Sequence, residues 1–291
     1  MSRAVLVTGA TGTTGSQLAA RFADRDGLTV RAFVRDPDKA AGLGEAGVEL
    51  VTGTFEDADS VRTAAAGIDT MVLITAPNPD ADDQAGAAIE AAKAVGVRKI
   101  VRLSAIKAAV DGPTDNTRLH GQTDAAIIGS GLTYVILRPH YFMQNLFMSA
   151  DSIAGEGKFY LGMGDGRLGM IDARDIVDCA EQAVLSDAFD DRIIDLTGPE
   201  SIDFSAAAAT LSAALGRPVD YVAVPPEAVE EAIREMGLGD WVAGVLRDYS
   251  RAYSENWGDF TTGEVARMTG HPARSFADFA GEVLAPALPG A

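Results

Sequence analysis

Cysteine is almost absent from this sequence, since Cys179 is the only one among 291 residues. A single cysteine excludes an intramolecular disulfide framework, and we expect Cys179 to be a small buried apolar residue. Histidine is also scarce, with three residues and none in metal-ligand spacing, so we expect no metal. The low cysteine content is typical of a reducing compartment and predicts a cytoplasmic protein.

Basic residues are outnumbered, with 24 Lys and Arg against 42 Asp and Glu and a formal net charge of −18. This balance argues against nucleic-acid binding through a general basic surface. The sequence also contains no apolar run of membrane-spanning length and no signal-peptide pattern. We therefore expect neither a nucleic acid nor a membrane as a partner.

The stretch from Ala4 to Phe22, AVLVTGATGTTGSQLAARF, has the pattern of an apolar strand, a glycine-rich turn and a helix. Gly9, Gly12 and Gly15 permit a tight turn, close approach of the backbone to a pyrophosphate, and close packing of helix on sheet. The helix start offers free N–H groups and the positive end of its dipole. An ordinary glycine turn is the alternative, but this context favours a dinucleotide site. Hydroxyl donors are added by Thr11, Thr13 and Thr14.

The second strand, Thr29 to Val34, ends at Arg35, about twenty residues after the last glycine of the turn. An acid at this place would bind the 2′-hydroxyl of NAD, whereas an arginine would bind the 2′-phosphate of NADP. We therefore favour NADP, with NADPH preferred over NADH, and Lys39 as a second cation one helical turn further on. The alternative is that Arg35 and Lys39 are solvated and that Asp36 is the ribose acid.

Strand and helix patterns alternate through the first half of the chain, which indicates a parallel sheet with right-handed crossovers. We predict an α/β fold with a doubly wound parallel sheet of the Rossmann type. Because loops at the carboxyl ends of such strands carry ligands, Thr75, Ala76 and Ser104 are predicted cofactor contacts. The predicted strands are residues 4–7, 29–34, 48–52, 70–75, 98–103 and 133–137.

Beyond about residue 150 the spacing changes, and glycines cluster from Gly155 to Gly169. We predict an NAD(P)-binding domain over residues 1–150 and a smaller α+β lobe over residues 151–291, with interleaved segments and the ligand in the cleft between them. Tyr141 to Met148 is predicted as a helix that either packs in the core or lines the site of a flat substrate. Ser275 and Asp278 have capping-box spacing at the start of a further helix.

Several motifs together resemble the NmrA-like branch of the atypical short-chain dehydrogenases, in particular its NADPH-dependent quinone reductases and triphenylmethane reductases. They are the GATGTTG turn, Arg35 after the second strand, LSA at Leu103 to Ala105, HGQTD followed by SGLTYVILRPHYFMQN, and TGHPARSFADF at Thr269 to Phe279. The resemblance covers nearly the whole chain and implies that the nicotinamide end lies near His140, Tyr141 and Phe142. For His140, a turn residue after Pro139 is the alternative.

The usual proton donor of this superfamily is missing. Ordinary members use a Tyr-x-x-x-Lys pair, but none of the six tyrosines has a lysine four residues later. In the corresponding helix stands His120, and Asp124 one turn on could orient its imidazole or raise its pKa. His120 is therefore a candidate catalytic residue, with a surface or packing role as the alternative. Ser104, without its tyrosine partner, is expected to shape the site.

These observations predict an NADPH-dependent reductase that transfers a hydride to a small conjugated organic acceptor, such as a quinone-like compound or a pathway intermediate. An acceptor that delocalises charge needs little help from a protein acid, since water can supply the proton and alignment supplies much of the rate. The alternative is an NADP-binding redox sensor without turnover. Apart from the small-molecule substrate we expect a monomer or a homodimer.

Overall fold

The computed structural model describes residues 3–288 of the chain. Apolar, β-branched runs form the strands, and alanine-rich or amphipathic segments form the helices. The strands are β1 (Arg3–Val7), β2 (Leu28–Val34), β3 (Glu49–Thr52), β4 (Thr70–Leu73), β5 (Lys99–Leu103), β6 (Thr133–Pro139), β7 (Lys158–Leu161), β8 (Arg192–Leu196) and β9 (Asp220–Ala223). The helices are α1 (Thr13–Ala23), α2 (Ala41–Glu45), α3 (Ala58–Ala65), α4 (Ala81–Val95), α5 (Asp115–Gly129), α6 (Ala150–Glu156), α7 (Ala173–Leu185), α8 (Phe204–Leu215), α9 (Pro226–Glu235), α10 (Asp240–Ser254), α11 (Glu264–Thr269), α12 (Phe276–Phe279) and α13 (Ala285–Ala287).

Within residues 3–288, seven strands form one sheet in the order β3-β2-β1-β4-β5-β6-β8. The neighbouring strands from β3 through β6 all pair in parallel. The strand order reverses between β1 and β4, and doubly wound sheets bind their ligands outside the carboxyl ends of the strands at such a reversal. The predicted doubly wound α/β fold is confirmed.

Burial on both faces explains why the central strands have such apolar sequences. All four residues of β4 are buried, and Met71 and Leu73 pack in a core with side chains of α3 and α4. Full burial of a side chain of this size stabilises the fold by about 1.5–3 kcal/mol relative to exposure. The alanines of α4, among them Ala85 and Ala88, bring this helix close to the sheet. The middle of the sheet is therefore a rigid platform for the loops that follow its strands.

The helices are short for a membrane span, which needs about 20 apolar residues. Helices α4 and α5 each have 15 residues. Across the described part of the chain, no helix is both long and apolar enough to cross a bilayer.

The described chain divides into two compact units by contacts between residues. Unit 1 comprises residues 3–112, 116–138 and 176–194, and unit 2 comprises residues 113–115, 139–175 and 195–288. The core of unit 2 is rich in phenylalanine, with Phe159, Phe204, Phe276 and Phe279 fully buried. The predicted division of roles, with cofactor binding over residues 1–150 and substrate binding over residues 151–291, stays a prediction.

The second half of the chain differs from the sequence prediction in two places. The segment Tyr141 to Met148 is not one α-helix but a 3₁₀ segment, Met143–Ser149, that leads into α6. Phe142 stays extended because its backbone forms a bridge with Ile171. The region rich in glycine also contains a strand that the pattern does not predict, β7, which pairs in parallel with β9.

The C-terminal helix start agrees with the prediction. The Ser275 hydroxyl accepts a hydrogen bond from the backbone N–H of Asp278, and the Asp278 carboxylate accepts one from the backbone N–H of Ser275. This reciprocal pair is the capping box that the spacing indicates. Helix α12 then continues through a π-helical turn at Ala280–Leu284 into α13.

Candidate dinucleotide and reduction site

The glycine-rich turn between β1 and α1 is closed by contacts that only glycine allows. Gly9 has φ +60°, and its carbonyl accepts a hydrogen bond of 3.0 Å from the N–H of Gly12. A Cβ at Gly15 would lie 2.3 Å from the Gly9 carbonyl oxygen, so the third glycine lets the helix pack against the turn. The positive φ at Gly9 and the close packing at Gly15 agree with a tight turn and a closely packed helix, and the approach of the backbone to a pyrophosphate stays a prediction.

The start of α1 is suited to an anion. Its N-cap residue is Gly12, and no side chain caps the first turn. The N–H groups there, together with the positive end of the helix dipole, form the kind of site that binds phosphate. Thr11 and Thr13 are exposed beside it, whereas Thr14 is 5% exposed, so of the three predicted hydroxyl donors two lie on the surface.

Thr8, which was not among the predicted site residues, anchors the turn to the neighbouring strand. Its hydroxyl donates a hydrogen bond of 2.8 Å to the carbonyl of Ile74 and accepts one of 2.8 Å from the N–H of the same residue. The backbone N–H of Thr8 donates to the carbonyl of Val72 at 3.0 Å. The carboxyl ends of β1 and β4 are thereby held together at the reversal of the sheet. The signal in the sequence was a threonine placed between the apolar run of β1 and Gly9.

Arg35 directly follows β2 and is exposed, as is Lys39. Backbone and Thr54 hydrogen bonds lower the pKa of Glu56, and the positive charge of Arg35 contributes to the same shift. Asp36, the alternative ribose acid, accepts a hydrogen bond of 3.1 Å from the N–H of Asp38 and lies 3.8 Å from the ammonium of Lys39. The Asp36 carboxylate therefore has partners within its own turn, whereas Arg35 is exposed to solvent.

A buried guanidinium joins two of the predicted site residues. Arg102, in β5, is 1% exposed, and its Nη1 donates to the carbonyl of Leu73 at 3.2 Å. Its Nη2 lies 3.1 Å from the hydroxyl oxygen of Thr75 and 3.3 Å from Nδ1 of His120. Burial lowers the pKa of Arg102 to about 10, which leaves it charged at neutral pH. The ends of β4 and β5 and helix α5 are thus linked through one cation.

The expected partnership between His120 and Asp124 is wrong. Asp124 is 2% exposed and instead accepts hydrogen bonds of 2.9 Å from the Ser104 hydroxyl and from Nε of Arg138, whose Nη2 forms an ion pair with the same carboxylate at 2.8 Å. Burial and the positive charges of Arg102 and Arg138 hold the pKa of His120 well below its usual range. The imidazole is therefore neutral at neutral pH, the opposite of what a carboxylate partner would favour. Arg102 and Arg138 were not predicted as site residues, because in the sequence each is a single cation near the end of a strand.

Ser104 connects α5 to β6, and its role in shaping the site stays a prediction. Its hydroxyl donates to Asp124, and its backbone N–H donates to the carbonyl of Leu137 at 2.8 Å. Ala76, which follows Thr75, is exposed. Contact of these three residues with a cofactor stays a prediction, as does the catalytic role of His120.

In unit 2, His140 is 1% exposed and both of its ring nitrogens have partners in the protein. Nδ1 accepts a hydrogen bond of 2.7 Å from the N–H of Tyr141, so Nε2 carries the proton and donates to the carbonyl of Gly258 at 3.0 Å. This geometry favours the alternative in which His140 is a structural residue of the turn after Pro139. The ring of Tyr141 packs edge-on against Phe204. Cofactor contact by His140, Tyr141 and Phe142 stays a prediction.

Two open surface depressions hold none of the predicted site residues. One, of about 740 Å³, lies in unit 2 beside α8 and β9, and the other, of about 610 Å³, lies in unit 1 beside α4 and α5. The first is lined mainly by alanine and serine side chains of a helix face, and the second by small and acidic side chains. Neither is lined by the glycine turn or by His120.

Comparisons with known proteins agree with the turn and the fold. A model of the NAD(P)H-binding family matches residues 9–159. The chain is 35% identical to the NAD(P)H azoreductase of Xenophilus azovorans over 276 residues, which cover 95% of this chain and 96% of the relative. It is 25% identical to quinone oxidoreductase 2 of Escherichia coli, with 94% of this chain and 96% of the relative covered. The crystal structure of the NADPH-dependent quinone oxidoreductase of Escherichia coli in complex with NADPH has a TM-score of 0.85 at 24% identity, with 96% and 99% covered.

The fold and the glycine turn define a protein that binds a nicotinamide dinucleotide. The chain belongs to the NAD(P)H-binding family, since the family model covers more than half of it and the azoreductase matches almost its whole length. The predicted resemblance is confirmed for the quinone reductases and, at the level of the fold, for NmrA, and so is the predicted class, an NAD(P)H-dependent reductase.

Proposed function

We propose that this chain catalyses the NADPH-dependent reduction of a small conjugated organic acceptor, of the quinone or azo type. The observation that carries the proposal is the glycine turn at the reversal of the sheet, closed by Gly15 and anchored by Thr8, in a chain 35% identical to an NAD(P)H azoreductase. The name of the second relative, a quinone oxidoreductase, supports the same acceptor class. Both acceptors are flat, and both delocalise the charge that a hydride brings.

Each group near the turn has a distinct task in this reaction. The N–H groups at the start of α1 bind the pyrophosphate, and Arg35 binds the 2′-phosphate, which an NADH molecule lacks. Bound NADPH supplies a hydride, that is two electrons and one proton, to the acceptor. His120, neutral and protonated at Nε2, donates a hydrogen bond to the oxygen or nitrogen that gains negative charge. Water then supplies the proton that completes the reduced product.

The preference for NADPH rests on the contrast between Arg35 and Asp36. The guanidinium is exposed at the end of β2, while the carboxylate is engaged by the N–H of Asp38 and by Lys39. A charge-assisted hydrogen bond to the 2′-phosphate is worth about 1.5–3 kcal/mol. This proposal also retains the composition-based expectations of a cytoplasmic protein that is a monomer or a homodimer.

A redox sensor that binds NADPH without turnover is the second candidate, and the absence of a Tyr-x-x-x-Lys pair favours it. The two are separated by mixing the purified chain with NADPH or NADH and a panel of quinones and azo dyes. Loss of nicotinamide absorbance that depends on the protein, and that is faster with NADPH, is the expected result. Tight NADPH binding with no turnover across the panel would favour the sensor. The heat-denatured protein is the blank for direct reaction between cofactor and acceptor.

A further inference from the structure

Arg102 is a buried cation that contacts the candidate catalytic residue His120. Arg102 is fully enclosed in unit 1, yet it lies in a strand whose other buried residues are Lys99, Ile100 and Val101. Its neighbours across the sheet are fixed by the parallel register, with Leu73 on β4 and Ile136 on β6. A long charged side chain is costly to bury, so its hydrogen-bond partners indicate its purpose.

We propose that Arg102 is a positioning residue that fixes the tautomer of His120, so that Nδ1 is the acceptor toward Arg102 and Nε2 carries the proton. This inference rests on the proposed function, because it makes His120 the hydrogen-bond donor to the acceptor molecule.

The direction of the hydrogen bond follows from the chemistry of the two groups. A guanidinium has five N–H donors and no acceptor, so in the 3.3 Å contact Arg102 donates and Nδ1 of His120 accepts. A neutral imidazole has one donor and one acceptor nitrogen, and the proton is therefore on Nε2. The other tautomer would place two N–H groups against each other. The same guanidinium nitrogen is held by Thr75, and Nη1 is held by the Leu73 carbonyl, so Arg102 has little freedom to turn away.

The charges around the imidazole reinforce this choice. Arg102 comes from β5, Arg138 from β6, and Asp124 from the same helix as His120, and the carboxylate is paired with Arg138 and Ser104. Two cations and one anion leave a net positive charge beside His120. A second proton on the imidazole is disfavoured there, whereas negative charge developing on a reduced quinone or azo nitrogen is favoured. Arg102 thus keeps His120 a neutral donor and adds to the field that stabilises the reduced acceptor.

The test is the tautomer of His120, read by long-range ¹H–¹⁵N NMR on protein labelled in histidine. The chain has only three histidines, and His140, with Nδ1 bound to the N–H of Tyr141, is an internal control. In the wild type we expect His120 to be neutral with the proton on Nε2 from weakly acidic to alkaline pH. In Arg102→Met we expect the Nδ1–H tautomer of His120 to appear and the pKa of His120 to move closer to that of an ordinary histidine. The His140 signals should be unchanged. A wild-type His120 protonated at Nδ1, or a tautomer unchanged in Arg102→Met, would overturn the proposal.

Kinetics separate this role from a merely structural one. Arg102→Met should lower kcat roughly tenfold or more and change the KM for NADPH far less, because Arg102 contacts the donor His120 directly and reaches the cofactor only through Thr75. His120→Gln, which can place an N–H near the position of Nε2, should keep more activity than His120→Asn, whose amide is closer to Nδ1. Equal loss in the two variants would contradict a donor at Nε2. If no acceptor is turned over at all, the proposed function fails, while the NMR result still decides the role of Arg102. If Arg102→Met does not fold, the wild-type tautomer decides alone.

Discussion

Arg102 and His120 are joined by a hydrogen bond of 3.3 Å in which the arginine is the donor. Their Cα atoms belong to a strand and to a helix of the same unit, and the bond brings a fixed cation to one nitrogen of an imidazole. Burial and the charges of Arg102 and Arg138 lower the pKa of His120, so that its imidazole is neutral at neutral pH. This suits an acceptor that delocalises charge and takes its proton from water.

The glycine turn gives the sharpest prediction for cofactor binding. Gly15→Ala places a Cβ 2.3 Å from the Gly9 carbonyl oxygen, so the turn must open and NADPH affinity should fall at least tenfold. Binding is measured by the change in cofactor fluorescence. Gly86→Ala is the control: nothing lies within 4 Å of its new methyl group, and alanine in a helix should stabilise the protein by about 0.5–1 kcal/mol. Equal cofactor affinity in both variants would contradict the assigned role of the turn.

Removal of the Thr8 hydroxyl should loosen the same turn. Thr8→Val keeps the shape but loses both hydrogen bonds to Ile74, at a cost of about 1–3 kcal/mol in the free energy of unfolding. NADPH should then protect the variant against heat less than it protects the wild type. Thr63→Val, at an exposed hydroxyl that bonds within α3, is the matched control. The anchor role is contradicted when the two substitutions have the same effect on cofactor protection.

Cofactor choice should depend on Arg35. Arg35→Ala should weaken NADPH binding about tenfold to a hundredfold and leave NADH binding nearly unchanged, because only the 2′-phosphate loses its partner. Lys93→Ala removes a cation of the exposed pair with Glu90 and controls for the change in net charge. Dissociation constants for both dinucleotides are measured by titration. Equal losses for NADPH and NADH would remove Arg35 from the selectivity.

The stability of the protein should depend on pH through His120. Its pKa is lowered well below 6.5 in the folded state by burial and by Arg102 and Arg138, so between pH 6.5 and that lowered pKa the unfolded chain binds more protons than the folded one. The free energy of unfolding is therefore unaffected by the titration of His120 above pH 6.5. It decreases as the pH falls through that window, by up to about 1.4 kcal/mol per pH unit. His120→Gln should flatten this acid-side slope in urea unfolding. His271→Gln is the same substitution outside the network, and an equal flattening there would contradict the assignment.

The fold could be predicted because its signals are local. The apolar run, the spaced glycines and the helical periodicity at Ala4 to Phe22 each report on neighbouring residues, and the same holds for the capping box at Ser275. Strand β7 escaped because it has four residues between glycines, too few for a period of two to stand out. The 3₁₀ segment after Phe142 escaped because its aromatic and methionine residues are also common in α-helices.

The candidate site could be predicted only in part, since its partners come from distant strands. Spacing of four residues puts His120 and Asp124 on one face of α5. It does not show that Arg138 and Ser104 donate their hydrogen bonds to the Asp124 carboxylate. That pairing depends on the order of β5 and β6 in the sheet. One signal was Arg102, a charge at the end of the apolar run of a strand in the predicted parallel sheet, since a buried charge requires a partner.

The most direct test of the whole account is a single turnover. The purified chain is loaded with NADPH, free cofactor is removed, and the complex is mixed rapidly with a quinone or an azo dye in the absence of any other protein. We predict loss of nicotinamide absorbance equal to the amount of bound cofactor, matched by the appearance of reduced acceptor. Bound cofactor that stays reduced with every acceptor of the panel would contradict the account and leave a dinucleotide-binding protein without hydride transfer.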